Sequence, residues 1–442
     1  MPAELDDLFT LLRFASVSTD SKHNGDTLAA ANWLVGKLNR IGLAASLHET
    51  PRHPVIVARN QHRPGRRKVL LYGHYDVQPA DPIGEWRTPP FEPTVIDGRI
   101  WCRGATDNKG QLMAHVAGLE KTLREDGDLP VNLICLFEGE EEIGSPNLKP
   151  FLDSHREELK CDVVAISDTG MVAPGQGTFT YGLRGIACCE VIARGPSIDL
   201  HSGIWGGAVA NPVTMLARLV ASFHDGDGKV QIGGFYDAVR PLADWEREAW
   251  KSLGETDAET KQITGVPELF GEKGFSDLER RWARPTAEVN GMGGGWQGEG
   301  SKTVIARESF VKFSFRLVPD QRPQDILNKV EAHVRAHQTA GVRFEVKLGH
   351  VGFPYLMDPF SPLGKAAQNA LAKTFGGQPA LIREGGSIPI VQAFRDVLGV
   401  DTLLLGLALP DCAAHAPNEN FPVANFASGI VLNQTLLLEL AV

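Results

Sequence analysis

Histidine and acidic residues recur in five short motifs of this chain. His74 and Asp76 lie in YGHYDVQP, Asp107 in WCRGATDNKGQ, Glu138, Glu140, Glu141 and Glu142 in FEGEEEIGS, Asp168 in ISDTG, and His415 in LPDCAAHAPNE. Imidazole and carboxylate together, without thiolate, form the ligand set of hydrolytic divalent zinc, cobalt or manganese. Each motif alone has a plainer reading: His-x-Asp can cap a turn, a run of Glu is usually a solvated helix face, and Asp168 could cap a helix N-terminus. Brought together, they carry an electrostatic cost. Two like charges about 4 Å apart repel by roughly 4 kcal/mol at an effective dielectric of about 20. Arg103 and Lys109 are expected to offset part of that repulsion, and divalent cations the rest. Two His with several carboxylates suggest two ions sharing one bridging acid.

Convergence needs elements that end at one place. Four apolar runs read as buried strands: Val69 to Tyr72, Val131 to Phe137, Val163 to Ile166, and Leu403 to Leu409. Each is followed by one of the motifs, and in an open α/β sheet the carboxyl ends of strands line the ligand crevice. Asp107 precedes a helical pattern that starts near Gln111 and runs through Leu112, Val116, Leu119 and Leu123. An earlier amphipathic helix spans Asp26 to Leu43, with Gly42 as its stop signal. Of the other His, His115 falls on a predicted helix and His350 near a strand end. His23, His48, His53, His62, His155, His224, His333 and His337 read as ordinary surface residues.

The segment from Gly182 to Gly352 has a different texture. Val311, Phe313, Phe315 and Leu317 alternate with Lys312, Ser314 and Arg316, and Val342, Phe344, Val346 and Leu348 alternate with Arg343, Glu345 and Lys347. Half-buried strands of this kind, with a strand over Ile186 to Ala193 and helices through Val213 to Phe223 and Ile326 to Val334, predict a smaller α+β domain inserted in the larger one. The expected boundaries are 1–181 and 355–442 for the α/β domain with its mixed sheet, and 182–354 for the insertion.

Composition narrows the function. Lys plus Arg number 44 against 54 Asp plus Glu, giving a net charge of −10 over 442 residues, which argues against a nucleic-acid or anionic-membrane binder. The six Cys show no C-x-x-C spacing, so reduced thiols in a cytoplasmic protein are expected. The acidic N-terminus does not resemble a signal peptide, and no uninterrupted apolar stretch is expected to reach membrane-spanning length.

In order along the chain, GHYDVQP, RGATDNKG, FEGEEEIGS, ISD, DLHSG, GEGSKT, FSFRLVP, GGSIP and AHAPNE resemble the dinuclear zinc exopeptidases. That family includes carnosinase-type cytosolic dipeptidases, aminoacylase, acetylornithine deacetylase and succinyl-diaminopimelate desuccinylase. The resemblance runs from the first helix to the C-terminus. It is closest to the carnosinase-type dipeptidases, whose long insertion resembles the one carrying GFYDAVRPL and GEGSKT here.

The resemblance implies a two-domain fold with a lid that also makes a homodimer, and two divalent ions per subunit, zinc or else manganese or cobalt. His74, Asp107 and Asp168 would hold one ion, and Asp107, Glu142 and His415 the other. Asp76 would orient His74, and Glu141 would be the general base. A cis peptide would link Asp107 to Asn108. His201 would stabilise the oxyanion in the partner subunit's site, and Arg316, Thr303, Gly386 and Ser387 would bind a free substrate carboxylate. Glu140 stands where the family often has an apolar residue, and Ser361 where carnosinase-type members carry a His, which bears on substrate preference. The implied activity is hydrolysis of dipeptides or short peptides. The alternatives are an N-acyl amino-acid deacylase or carbamoylase on the same scaffold, or a metal-binding regulator without catalysis.

Overall fold

Strand Lys68–His74 runs parallel to Asn132–Glu138 on one side and to Val163–Ile166 on the other. Thr402–Leu405 adds in parallel beside Val163–Ile166. Every residue of Asn132–Glu138 and Val163–Ile166 is buried, the pattern of parallel strands covered on both faces. Antiparallel strands extend the sheet on both sides: Val55–Arg59 and then Ala44–His48 beyond Asn132–Glu138, and Thr178–Leu183 beyond Thr402–Leu405. The result is a mixed sheet whose four parallel strands share one carboxyl-terminal edge. The computed structural model describes residues 3–254 and 257–441.

One departure from the sequence reading concerns this sheet. The final parallel strand stops at Leu405 rather than Leu409. There the chain crosses the 169–170 segment so closely that a Cβ on Gly406 would lie 2.3 Å from the Thr169 carbonyl oxygen. Helix Val423–Leu440 is long and apolar enough, by length and composition, to cross a membrane. It behaves as a core helix: Phe426, Leu432, Leu436 and Leu440 are buried, and buried Asn425 donates to the Leu407 carbonyl at 2.7 Å. It packs against helix Lys109–Asp126 so closely that a Cβ on Gly118 would lie 2.7 Å from Asn433.

Two compact units emerge. The first comprises residues up to Tyr181, Met357–Ile382 and the chain from Pro389 on; the second comprises Gly182–Leu356 with Arg383–Ile388. In the second, strands Thr286–Gly294, Glu308–Leu317, Gly185–Arg194 and Arg343–Gly352 form an antiparallel sheet in that order. Helices Pro212–Ala221 and Pro323–Ala336 bury Leu216, Leu219, Ile326 and Val330 in a core with Phe313 and Phe315. Phe223 stacks on Phe313 with ring centroids 4.5 Å apart. The predicted alternation fails at Leu348, which is 49% exposed although it still pairs in register with Cys189; the register shifts only beyond it, between Leu348 and Val351. Buried Glu246 of helix Asp244–Lys251 pairs with buried Arg383, tying Arg383–Ile388 to this unit.

Candidate metal centre

The shared edge of the parallel strands gathers the histidine and acidic motifs. His74, the last residue of its strand, is fully buried. Its Nε2 lies 3.1 Å from Asp107 Oδ1 and 3.7 Å from Asp168 Oδ2. His415 Nε2 lies 2.9 Å from Asp107 Oδ2 and 3.2 Å from Glu142 Oε2. Asp107 therefore turns one oxygen to each histidine. Two groups of three potential ligand atoms result, His74 with Asp107 and Asp168, and Asp107 with Glu142 and His415, the atoms of each lying within 4.8 Å of one another.

Local conformation aims these groups. His415 has φ of 60° and Ala413 φ of 55°, left-handed values that non-glycine residues adopt rarely and mostly where surrounding structure imposes them. The peptide joining Asp107 to Asn108 is cis. Asp76 stands behind the cluster: His74 Nδ1 lies 3.1 Å from its backbone carbonyl oxygen and 3.3 Å from its Oδ1, and its carboxylate accepts the backbone N–H groups of Glu141 at 3.2 Å and Glu142 at 3.1 Å. One buried acid thus orients an imidazole and sets the glutamate turn. Glu141 belongs to neither group of three.

The electrostatics describe a site short of positive charge. Burial opposes a charged His74, yet the carboxylates of Asp168, Asp107 and Asp76 outweigh it and hold the imidazole well above its usual pKa. Hydrogen bonds to Asp107 and Glu142 raise His415 to about 10. Burial raises the carboxyls of Glu141, Glu142 and Asp168, and the neighbouring acids add to each rise. The two expected counter-charges are engaged elsewhere. Arg103 pairs with Glu419 at 2.7 Å, and Lys109 donates to the carbonyls of Leu11 and Phe14 at 3.2 and 2.6 Å. Among the described residues, buried His74 Nε2 and Glu142 Oε1 make no hydrogen bond. An imidazole nitrogen that faces two carboxylates without bonding to either is arranged as donors are around a shared cation.

Two other acids near these motifs serve the fold. Glu138 accepts from Tyr72 Oη at 2.5 Å and Ser145 Oγ at 2.8 Å, and burial raises it to about 8. Buried Glu140 accepts from His53 N at 2.8 Å, Thr50 Oγ1 at 3.1 Å and Asn147 Nδ2 at 2.8 Å. His53, expected at the surface, is only 2% exposed, because its backbone is drawn to Glu140. His115 is buried too, with Nε2 2.8 Å from Ser167 Oγ. Ser361 caps helix Pro362–Phe375, its Oγ accepting from Gly364 N at 3.1 Å. Sequence reasoning missed Gln78, whose Nε2 donates to Glu142 Oε2 at 2.8 Å, and Asn108, which bonds to Asp168. Both stand inside the motifs already singled out, which was the available signal.

The remaining candidate residues lie in the second unit. His201 is exposed, and its Nδ1 accepts from Gly203 N at 3.0 Å. It neighbours Thr303, whose carbonyl accepts from Ser202 N at 3.0 Å. Arg316 is half-buried near the end of its strand and, among the described residues, makes no ion pair. Burial and the nearby Arg316 charge lower Arg184 to about 10. Arg184 Nε donates to the Gly385 carbonyl at 3.1 Å, next to Gly386 and Ser387.

The fold and the paired acid–histidine groups define a class, the two-domain α/β metallopeptidases. The model of peptidase family M20/M25/M40 matches residues 70–439, and the chain belongs to that family. It is 34% identical over 452 residues to the Cys-Gly metallodipeptidase DUG1 of Candida albicans, covering 97% of this chain and 92% of the relative. It is 31% identical over 396 residues to the Beta-Ala-His dipeptidase of Homo sapiens, covering 88% and 78%. Among solved structures, the M20 family metallo-carboxypeptidase Sso-CP2 from Sulfolobus solfataricus superposes with a TM-score of 0.88 at 32% identity, covering 100% of both chains.

Proposed function

We propose that this M20-family metallopeptidase is a dipeptidase that cleaves the peptide bond of dipeptides or short peptides bearing a free C-terminal carboxylate. The observation that carries the reading is Asp107, which presents one oxygen to each of two acid–histidine groups. His74, Asp107 and Asp168 would hold one divalent ion, and Asp107, Glu142 and His415 the other. Bound there, zinc, manganese or cobalt would supply Lewis-acid polarisation of the scissile carbonyl and would acidify an attacking water. Glu141, outside both groups and raised by burial, takes the proton of that water and delivers it to the leaving amine.

Arg316 suits a carboxylate because its planar fork pairs one bidentately, and its freedom from any ion pair among the described residues leaves the fork available. Thr303, Gly386 and Ser387 would complete that contact, and His201 would stabilise the tetrahedral oxyanion from the partner subunit of a homodimer. Exposed Ile204 and Trp205 beside His201 support an interface there. All six cysteines are free, which supports a cytoplasmic location. That the relatives are named as dipeptidases supports dipeptides rather than N-acyl amino acids as the substrates of this chain.

A panel of dipeptides, C-terminally amidated dipeptides, tripeptides and N-acetyl amino acids, assayed with added zinc, manganese or cobalt, tests the reading. Free dipeptides should be cleaved fastest, a chelator should abolish cleavage, and added metal should restore it. Preferred cleavage of N-acetyl amino acids would assign a deacylase, and full activity in metal-stripped protein would refute the metal mechanism.

A further inference from the structure

We infer that Asn108 is a positioning residue that fixes two of the three donors of the His74 group, Asp168 through its carboxylate and His74 through its backbone. The inference rests on the reading that His74, Asp107 and Asp168 hold an ion. Asn108 is completely buried. Its Nδ2 donates to Asp168 Oδ1 at 2.8 Å and to the Ser167 carbonyl at 2.6 Å, so both amide hydrogens are used. Its Oδ1 accepts the His74 backbone N–H at 3.4 Å. A single amide therefore ties together the ends of two parallel strands, those that carry His74 and lead into Asp168.

The neighbouring strand leaves room for this amide. A Cβ on Gly73 would lie 3.2 Å from Asn108 Oδ1 and 3.0 Å from Leu112 Cδ1, so a side chain there would press on the amide and on Leu112 and force both to shift. The glycine of GHYDVQP thus belongs to the same device as the asparagine of ATDNKG. The amide also selects an oxygen. With Asp168 Oδ1 held by Nδ2, Oδ2 is the oxygen turned toward His74 Nε2, which orients the carboxylate for single-oxygen donation. Ser167 extends the bracket, since its hydroxyl lies 2.8 Å from His115 Nε2, and His115 Nδ1 lies 3.0 Å from Asn433 Nδ2 on helix Val423–Leu440. The second group has other supports. Gln78 donates to Glu142 Oε2, and Asp76 accepts from the Glu142 backbone. Loss of the Asn108 amide should therefore be felt at one ion and spared at the other.

The test is zinc binding to the full chain, stripped of metal and titrated in competition with a chromophoric chelator. In Asn108→Ala, one zinc should bind within about threefold of wild type and the other about 10- to 100-fold more weakly, the usual loss when a group that orients a ligand is removed. Asn108→Leu keeps the branched shape without donor or acceptor. It should give the same split isotherm, and it decides the matter if the alanine variant does not fold. A wild-type isotherm in a folded variant, or equal weakening at both sites, would overturn the inference. Asp168→Ala, titrated in parallel, should lose the same ion. If it binds two zinc ions as wild type does, the assignment of the His74 group fails, a result distinct from any behaviour of Asn108.

Discussion

Three consecutive glutamates carry three different duties, and burial and partners separate them. Glu142 faces His415, Glu141 stands outside both ligand groups, and Glu140 is spent on His53, Thr50 and Asn147. Glu141→Gln should lower turnover by orders of magnitude while bound metal stays near wild type, because it removes a proton carrier and no ligand. Glu142→Gln should lower metal content. Glu140→Ala should leave metal binding intact but destabilise the fold by on the order of 3 kcal/mol, since it strands several buried donors. Metal analysis, turnover and chemical denaturation of the three variants check the assignment; a turnover-only defect in Glu140→Ala would shift the register of the motif by one. Residue types and spacing alone could nominate the run. They could not sort it, because two of the groups that claim Glu140, His53 and Thr50, lie 87 and 90 residues away in sequence.

At the scale of elements, the parallel strands were legible because a buried parallel strand is a short apolar run, and the motif that follows it is the first polar text after the run. What escaped the sequence were contacts made across the fold. Arg103 and Lys109 are close in sequence to Asp107, yet Glu419 and the carbonyls of Leu11 and Phe14 claim them. Leu348 fits its alternating pattern and pairs in register with Cys189, yet it is exposed. His115 is another such case: its helix buries it against Ser167 and Asn433, and burial lowers its pKa from 6.5 to about 4. The unfolded chain then binds a proton that the folded chain refuses. Stability from this group is complete above about pH 6.5 and falls as pH drops toward about 4, by roughly 1.4 kcal/mol per pH unit in that window. His115→Gln removes the titrating group and should flatten that part of the stability–pH curve. An unchanged acid slope, measured by denaturant unfolding of metal-free protein between pH 4 and 7, would show that His115 does not titrate in this way.

At the scale of the whole molecule, the ligand groups and Glu141 belong to one compact unit, and His201, Thr303, Arg316, Gly386 and Ser387 to the other. The proposed chemistry needs both, and in a homodimer His201 would come from the neighbouring subunit. His201→Ala should be nearly inactive with its metals in place, since losing one oxyanion donor typically costs about 10²- to 10³-fold in turnover. Glu141→Ala should be inactive for a different reason. Mixed under conditions that let subunits exchange, the two proteins form hybrids in which one site combines an intact Glu141 with a partner's intact His201. With statistical exchange in a C2 dimer, about half the dimers are hybrids with one good site each, so activity should recover to about a quarter of wild type. Recovery of that size would place His201 in the neighbour's site. If a labelled-subunit assay shows exchange and no activity returns, His201 acts within its own chain or outside the reaction, and the dimer loses its catalytic role.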